Sequence, residues 1–134
     1  MPAVETKIWL ALKARVQSLP SDLFVSYPAS VYRPGKDAYI AVGRAIVAPR
    51  RVYIKRGKHE RTGTLTLSHV APIGQDLAVY EEAAAAIAAH FPEDANLEYS
   101  DVCVRIVSAP HVVEGFREGG WWRTPVNISW RCSA

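Results

Sequence analysis

The chain has 134 residues, of which 49% are hydrophobic and 22% charged, and its formal net charge is +3. This composition is typical of one globular domain with its own core, and it argues against disorder. No apolar run approaches the ~20 residues of a membrane-spanning helix. An early Glu5 and interrupted apolar positions are not typical of a signal peptide, so we expect no membrane contact.

The first half of the chain predicts one helix followed by strands. Residues 3–19 place apolar side chains every three to four positions along one helical face, and Pro20 ends this pattern. Residues 23–28 predict a short strand. The stretch 38–48 is rich in β-branched and aromatic residues, and 63–72 alternates Thr and Leu, so both predict strands. We expect these two strands to form a hairpin with a long tip.

That tip, a loop at about residues 49–62, holds most of the positive charge of the chain. Residues 50–61 read RRVYIKRGKHER and contain one acid, Glu60, so they carry +5 while the rest of the chain carries −2. Such local charge predicts an electrostatic contact with a partner protein or with DNA. The six basic residues are Arg50, Arg51, Lys55, Arg56, Lys58 and Arg61.

The partner of this basic segment is open from the residues alone. Six cations can release counterions from nucleic-acid phosphates, and they can equally meet an acidic protein surface or solvent. No recognition helix or other nucleic-acid-binding signature accompanies the segment. Contact with a protein is therefore the favoured interpretation.

The second half predicts another helix and a second hairpin. Residues 74–92 are rich in alanine, with apolar residues along one face and a proline at the end. Residues 101–113 and 119–132 alternate as two strands, and a Gly-Gly pair at 119–120 predicts a turn. The order of elements predicts a single α+β domain over residues 1–134, in which two main helices pack on a mostly antiparallel sheet.

Three of the four tryptophans lie in the last fourteen residues. Trp122 and Trp130 are in phase with other apolar residues of the last strand and predict core positions. Trp121 falls among the polar residues of the opposite face. Because Pro125 cannot donate a ladder hydrogen bond, we expect this strand to be a sheet edge or locally bulged. Trp121, Arg123 and Pro125 are therefore a candidate subunit interface.

The chain carries no pattern typical of an active site. Phosphate-binding loops, dinucleotide fingerprints, H-E-x-x-H and C-x-x-C motifs are absent, and the four histidines are scattered. Cys103 and Cys132 are too few for a disulfide framework, and Cys103 in mid-strand is better interpreted as a structural thiol than as a nucleophile. We expect no catalytic residue, no metal and no cofactor.

Three stretches of the sequence together resemble bacteriophage tail terminator proteins, a family also found in gene transfer agents. They are IWLALKARVQSLP, EEAAAAIAAHFP and VCVRIVSAPHVVEGFREGGWWRTPVNISWRC. The likeness of the helix and final hairpin covers about residues 74–132, and the order of elements extends it over nearly the full chain. These stretches are packing and interface patterns rather than catalytic motifs.

The resemblance implies a structural virion protein and not an enzyme. Such proteins form a hexameric ring that caps the head-proximal end of the tail tube, stops tube polymerisation and joins the tail to the head-tail connector or stopper protein. DNA passes through the lumen. The expected partners are other copies of the chain, the tube protein, the connector and DNA, in a virion tail assembled in the host cytoplasm.

Other functions stay open beside this one, among them a small enzyme with an unrecognised site and a general α+β adaptor. A nucleic-acid-binding module that uses the basic loop predicts binding with a steep salt dependence. A neighbouring neck or tail-completion protein of the same particle belongs to the same structural class, and the sequence separates it poorly from a tail terminator.

Overall fold

The computed structural model describes residues 3–20, 23–29, 37–46, 50–51 and 59–133. In these residues two helices, α1 (Val4–Gln17) and α2 (Leu77–Ala89), pack against one sheet of nine strands. The strands are β1 (Phe24–Ser26), β2 (Tyr39–Ile46), β3 (Arg50–Arg51), β4 (His59–Pro72), β5 (Asn96–Tyr99), β6 (Val102–Ile106), β7 (His111–Val112), β8 (Phe116–Glu118) and β9 (Trp121–Ser133).

The sheet has the strand order β1-β2-β4-β9-β6-β5, with β3 added to β4, and β7 and β8 added to β9. The β1–β2 pair is parallel and the other described pairs are antiparallel. The sheet curls into a half-barrel. The predicted α+β class is therefore confirmed, as is the hairpin between β2 and β4. Within the described residues, neither helix is long and apolar enough to span a bilayer.

Both helices cover the same side of the sheet, which we call the inner face. Alternate residues of the long central strands point to it, among them Leu65 and Leu67 of β4 and Ile128 and Trp130 of β9, each no more than 1% exposed. Burial of each such aliphatic side chain stabilises the fold by about 1.5–3 kcal/mol. The alternation of apolar residues along β4 and β9 thus forms the sheet surface on which the two helices pack.

The ends of the two helices are tied to one another. Arg15 Nε donates to the His90 carbonyl at 2.9 Å, and the Ser18 hydroxyl lies 2.7 Å from His90 Nε2. Carbonyl groups at a helix C-terminus have no partner in their own helix, so a basic side chain there is favourable. These contacts fix the distance between the C-terminal ends of the two helices, just before the proline that follows each of them.

The last strand lies in the centre of the sheet, and the prediction that it is an edge was wrong. β9 has β4 on one side and β6, β7 and β8 on the other. Pro125 is tolerated because it lies where the ladder passes from β8 to β7. Its carbonyl accepts from Val113 N at 2.9 Å, and the N and O of one strand residue point to the same side. The side of Pro125 that lacks an N–H therefore faces the gap between the short strands β7 and β8.

Three further details differ from the expectation. The strand predicted at 101–113 divides into β6 and β7, and the turn at 119–120 joins β9 to β8, which was not predicted. β5 was also missed, since four residues are too few for a clear alternation. Trp122 points to the inner face as expected but is half-buried, because it lies at the end of the core.

Candidate functional site

The side of the sheet opposite the helices, which we call the outer face, carries the predicted interface residues. Trp121, Arg123 and Pro125 all point to it from β9 and are half-buried. Among the described residues no helix packs on this face, because both helices contribute to the core on the other side. The partly exposed side chains of this face are therefore accessible to a partner.

Five side chains form a row across this face. Phe24 of β1 pairs with Tyr39 of β2, and Tyr39 pairs with Val70 of β4. Val70 pairs with Arg123 of β9, and Arg123 pairs with Phe116 of β8. Phe24 is 52% and Phe116 45% exposed, whereas Val70 in the middle is 2% exposed. The exposed rings of Phe24 and Phe116 at the two ends make this aromatic row a candidate contact surface, because aromatic residues are enriched at interfaces.

Trp121 lies beside the aromatic row. Its ring centroid is 5.8 Å from that of Tyr39, with the ring planes at 73°, which is an edge-to-face contact. Its backbone pairs with Pro72, two residues from Val70 on the same face, so the indole helps to cover Val70. Trp121 thus has an internal packing role that the sequence did not indicate, and only a minor part of its surface remains for a partner.

Arg123 makes an ion pair with Glu118 of the neighbouring strand β8. Its Nε lies 3.2 Å from Glu118 Oε2, and the two side chains are 24% and 59% exposed. An exposed ion pair of this kind stabilises a fold by only about 0–1 kcal/mol. Its main effect is to fix a guanidinium, with further N–H donors, between aromatic side chains.

The structure describes half of the basic segment. Arg50 and Arg51 form β3 and pair with Glu60 and His59 of β4, so strand pairing extends into the predicted loop. Lys55, Arg56 and Lys58 lie outside the described residues.

Arg61 points to the inner face and not along the basic segment. Its Nε lies 3.1 Å from Glu5 Oε1 of α1, and its side chain is 13% exposed. The pKa of Glu5 is lowered by a backbone hydrogen bond of Glu5 itself and then by the Arg61 side chain. Arg61 therefore fastens α1 to β4 as well as contributing positive charge.

Four residues that the sequence analysis did not single out meet at the edge of α1. Trp9 and Tyr27 make an edge-to-face contact at 6.2 Å. Arg44 Cζ lies 5.2 Å from the centroid of the Trp9 ring, and Lys13 Nζ lies 5.0 Å from that of Tyr27. Cation–π contacts of this kind contribute about 0.5–2 kcal/mol each. No local pattern predicts them, since Trp9 and Arg44 are far apart in the chain.

Several buried polar atoms beneath α2 have no hydrogen-bond partner among the described residues. They are His69 Nδ1, Thr124 Oγ1 and Trp122 Nε1, all on the inner face at one end of β4 and β9. Burial lowers the pKa of His69, because a charged imidazole is costly away from water. This cluster was not predicted from the sequence, in which the four histidines are scattered.

The thiols and acids do not converge on a catalytic arrangement in the described ranges. No group of three His, Cys, Asp or Glu residues there could hold a metal ion. Cys103 is exposed, and Cys132 is buried, which raises the pKa of its thiol. A high thiol pKa disfavours the thiolate that a nucleophile needs.

Two solved structures share this fold. One, whose description names no function, has a TM-score of 0.72 and 17% identity, over 92% of this chain and 94% of its own. The other is a chain of the virion of a native gene transfer agent particle, with a TM-score of 0.60 and 15% identity, over 98% of this chain and 96% of its own. No curated protein matches the sequence.

The sequence model of one protein family matches residues 7–130, which include most of α1, all of α2 and almost the whole sheet. The family is described as phage tail terminator protein. It is a family of structural proteins. This chain therefore belongs to the phage tail terminator protein family.

Proposed function

We propose that the protein forms a ring that caps the head-proximal end of a phage or gene transfer agent tail tube, stops tube polymerisation and joins the tail to the head connector. The family match over residues 7–130 carries the proposal. A gene transfer agent virion chain of the same fold supports it. The ring is expected to be hexameric, with DNA passing through its lumen.

The outer face offers a surface for the contacts between subunits. Trp121 and Arg123 stand beside exposed aromatic side chains, and interfaces are enriched in aromatic residues and arginine. Pro125 continues this surface along β9. A head-to-tail contact between unlike patches closes into a ring when its rotation allows. We propose that this face contributes to such a contact.

The basic segment is proposed to face the tube, the connector or the passing DNA. Its charge of +5 contrasts with −2 for the rest of the chain, which favours an acidic or phosphate-bearing partner. A nucleic-acid-binding module is the second candidate function, and the same segment is the observation that favours it. The two candidates differ in whether nucleic acid is bound in the absence of other tail proteins.

The first experiment measures the mass and shape of the particle. Light scattering behind a sizing column over a concentration series, followed by negative-stain images, should show a closed ring with a central hole. If the free protein is monomeric, the ring should appear on purified tail tubes, and added protein should stop tube growth. Tubes that elongate at the same rate with and without the protein would contradict the proposal.

Two sets of variants distinguish the role of the outer face from the role of the basic segment. Trp121→Ala should leave the monomer folded and weaken assembly, and Ser129→Ala at the far end of the same face of β9 is the matched control. Replacing Arg50, Arg51, Lys55 and Arg56 by Ser should preserve the fold and impair tail joining. Unchanged joining would remove the basic segment from the proposal, and salt-dependent DNA binding by the isolated wild-type chain would favour the second candidate.

A further inference from the structure

The outer face carries an open groove along β4 and β9, toward the end of β9 that lies away from Trp121. Its volume is about 340 Å³. A cavity of about 150 Å³ in another protein holds one benzene molecule, so this groove has room for a side chain of a partner. Three hydroxyl residues, one apolar residue and two charged residues are among those that line it, namely Thr62, Thr64, Ser129, Val107, Arg131 and Glu60.

Arg131 in this groove lies directly opposite a second arginine. It pairs in register with Arg105 of β6, and both residues are exposed. Like charges in this position destabilise a strand pair unless acids compensate them. Arg105 has such an acid, since its Nη2 lies 2.7 Å from Asp94 Oδ1. Arg131 makes no ion pair within the described ranges, and Glu60 interacts elsewhere, so the charge of Arg131 is left uncompensated.

The chemistry of the groove suits one carboxylate better than a chain of phosphates. A guanidinium presents a planar fork of donors that matches the two oxygens of a carboxylate. A nucleic-acid backbone instead needs several uncompensated cations along its path, because its affinity comes from neutralising many phosphates. Here Arg105 is already paired and Glu60 is itself negative. The groove therefore favours a single acidic side chain of a protein.

Acidic side chains of this kind lie on the opposite side of the same subunit. The helix α2 packs against the inner face of β4 and β9, the two strands whose outer face holds the groove. Glu81 and Glu82 of α2 are exposed, and neither forms an ion pair within the part of the chain that the structure describes. At about 3.6 residues per turn, Glu82 lies opposite the buried Tyr80 and Ala84 and points away from the sheet.

Exposed apolar side chains accompany the charge on both surfaces. On α2, Leu77 is 48% and Val79 49% exposed, and Val107 beside the groove is 37% exposed. Apolar contacts around a charge pair exclude water, and the attraction between the two charges is stronger where water is excluded. The two surfaces are thus opposite in charge and alike in their apolar content.

We propose that Glu82 of one subunit binds Arg131 in the groove of the next subunit. In this arrangement α2 of the neighbouring subunit lies on the outer face of the sheet. The two residues belong to opposite sides of the molecule, so the contact joins unlike surfaces in a head-to-tail manner, which closes into a ring when its rotation allows. This inference rests on the proposed function, because it names the two surfaces that meet in that ring.

The test exchanges the two charges. Arg131→Glu and Glu82→Arg should each weaken self-association on the order of thirtyfold, because each variant brings like charges into contact. The double variant restores an opposite pair and should return to within roughly threefold of the wild type. Light scattering over a concentration series measures the effect, on purified tail tubes if the free protein is monomeric. A double variant that recovers nothing would show that Glu82 is not the occupant.

Two matched charge reversals control for the change in net charge. Arg117→Glu and Glu93→Arg alter exposed residues that neither line the groove nor belong to α2, so they should assemble like the wild type. Ser129→Ala removes one hydroxyl of the groove but keeps the guanidinium, and it should also assemble normally. Unfolding midpoints of the four reversal variants should stay near that of the wild type, since surface substitutions change stability little. Equal losses of assembly with Arg117→Glu and Arg131→Glu would exclude a specific role of the groove.

The remaining outcomes separate this contact from the ring itself. If closed rings form normally with both Arg131→Glu and Glu82→Arg, the proposed contact is wrong and the ring function stands. If the wild type forms no closed oligomer, even on tail tubes, both proposals are wrong. If Arg131→Glu assembles normally but loses binding to duplex DNA, the groove serves nucleic acid, and the contact proposal gives way to the second candidate function.

Discussion

Trp122 stacks on Tyr80, with ring centroids 6.0 Å apart and ring planes inclined by 28°. The Tyr80 hydroxyl also donates to the Pro72 carbonyl at 2.7 Å, so one turn of α2 is fastened to the ends of both β4 and β9. Trp122 is half-buried there, whereas Trp130 is 1% exposed in the centre of the core. The two inward-facing tryptophans therefore differ in what their removal costs.

We expect Trp130→Ala to lower the free energy of unfolding by about 3–5 kcal/mol, because it leaves a cavity in the core. Trp122→Ala should cost less. Trp122→Phe should cost no more than about 1.5 kcal/mol, since the ring is kept and the indole N–H has no partner to lose among the described residues. Urea unfolding of the three variants is the measurement, and a larger loss for Trp122→Ala than for Trp130→Ala would contradict this ranking.

Gly115 is needed because it lets the chain pass close to Trp122. A Cβ at this position would collide with Trp122 Nε1 and lie 2.9 Å from its Cε2 and 3.0 Å from Thr124 Oγ1. We expect Gly115→Ala to destabilise the fold by about 1–3 kcal/mol, the usual cost of overpacking. Gly120→Ala is the control, because nothing lies within 4 Å of a Cβ there. Equal unfolding midpoints for the two variants would show that the contact relaxes without cost.

Acid should destabilise the protein through two carboxyl groups. The pKa of Glu5 lies below its ordinary 4.5, first through a backbone hydrogen bond, and the pKa of Asp101 lies below 3.8, first through the Lys7 hydrogen bond. Such groups bind fewer protons in the folded state than in the unfolded state. Their stabilising contribution is present above the ordinary pKa and is lost as the pH falls through the lowered one.

The test is a series of urea unfolding midpoints across this acid range. We expect stability to decline as the pH falls below 4.5, the ordinary pKa of Glu5. The double variant Glu5→Gln, Asp101→Asn should show a shallower decline, since neither position can then titrate. A double variant that follows the wild-type curve would exclude these two carboxyl groups as the cause.

Two imidazoles, that of the buried His69 and that of the half-buried His90, add a second pH range. Burial is the main reason that the pKa of His69 and that of His90 lie below 6.5, and Arg15 lowers the latter further. The unfolded chain takes up these protons at a higher pH than the folded one, so stability should fall as the pH drops below 6.5 toward the lowered values. His69→Leu and His90→Gln should each flatten this part of the midpoint curve, and a steeper curve for either would contradict the assignment.

The features of the fold that depend only on residues within one helix or strand were largely predictable. The helices of residues 4–17 and 77–89 lie within their predicted ranges, because apolar spacing and terminal prolines are properties of a short stretch. The facing of the last strand was also predictable, since Val126, Ile128 and Trp130 alternate with polar residues and are buried. The alternation of apolar and polar residues shows which residues share a face, but it does not show which strands are neighbours in the sheet.

Position within the sheet depended on contacts between distant segments. Pro125 suggested an edge because it lacks an N–H, but β7 and β8 end on either side of it and make that N–H unnecessary in a central strand. The cluster of Trp9, Tyr27 and Arg44 was unpredictable for the same reason, since its members come from three elements.

The sequence by itself determined the class of the fold, the inward residues of its long strands, the local basic charge and the resemblance to tail terminator proteins. These depend on residue type and on spacing within one element. Only the tertiary structure decided that β9 is central, that Trp121 packs on Tyr39, and that Arg61 of β4 binds Glu5 of α1. It also decided that His69 lines a pocket with Ile40 and Ile87, because a pocket exists only where side chains from separate elements meet.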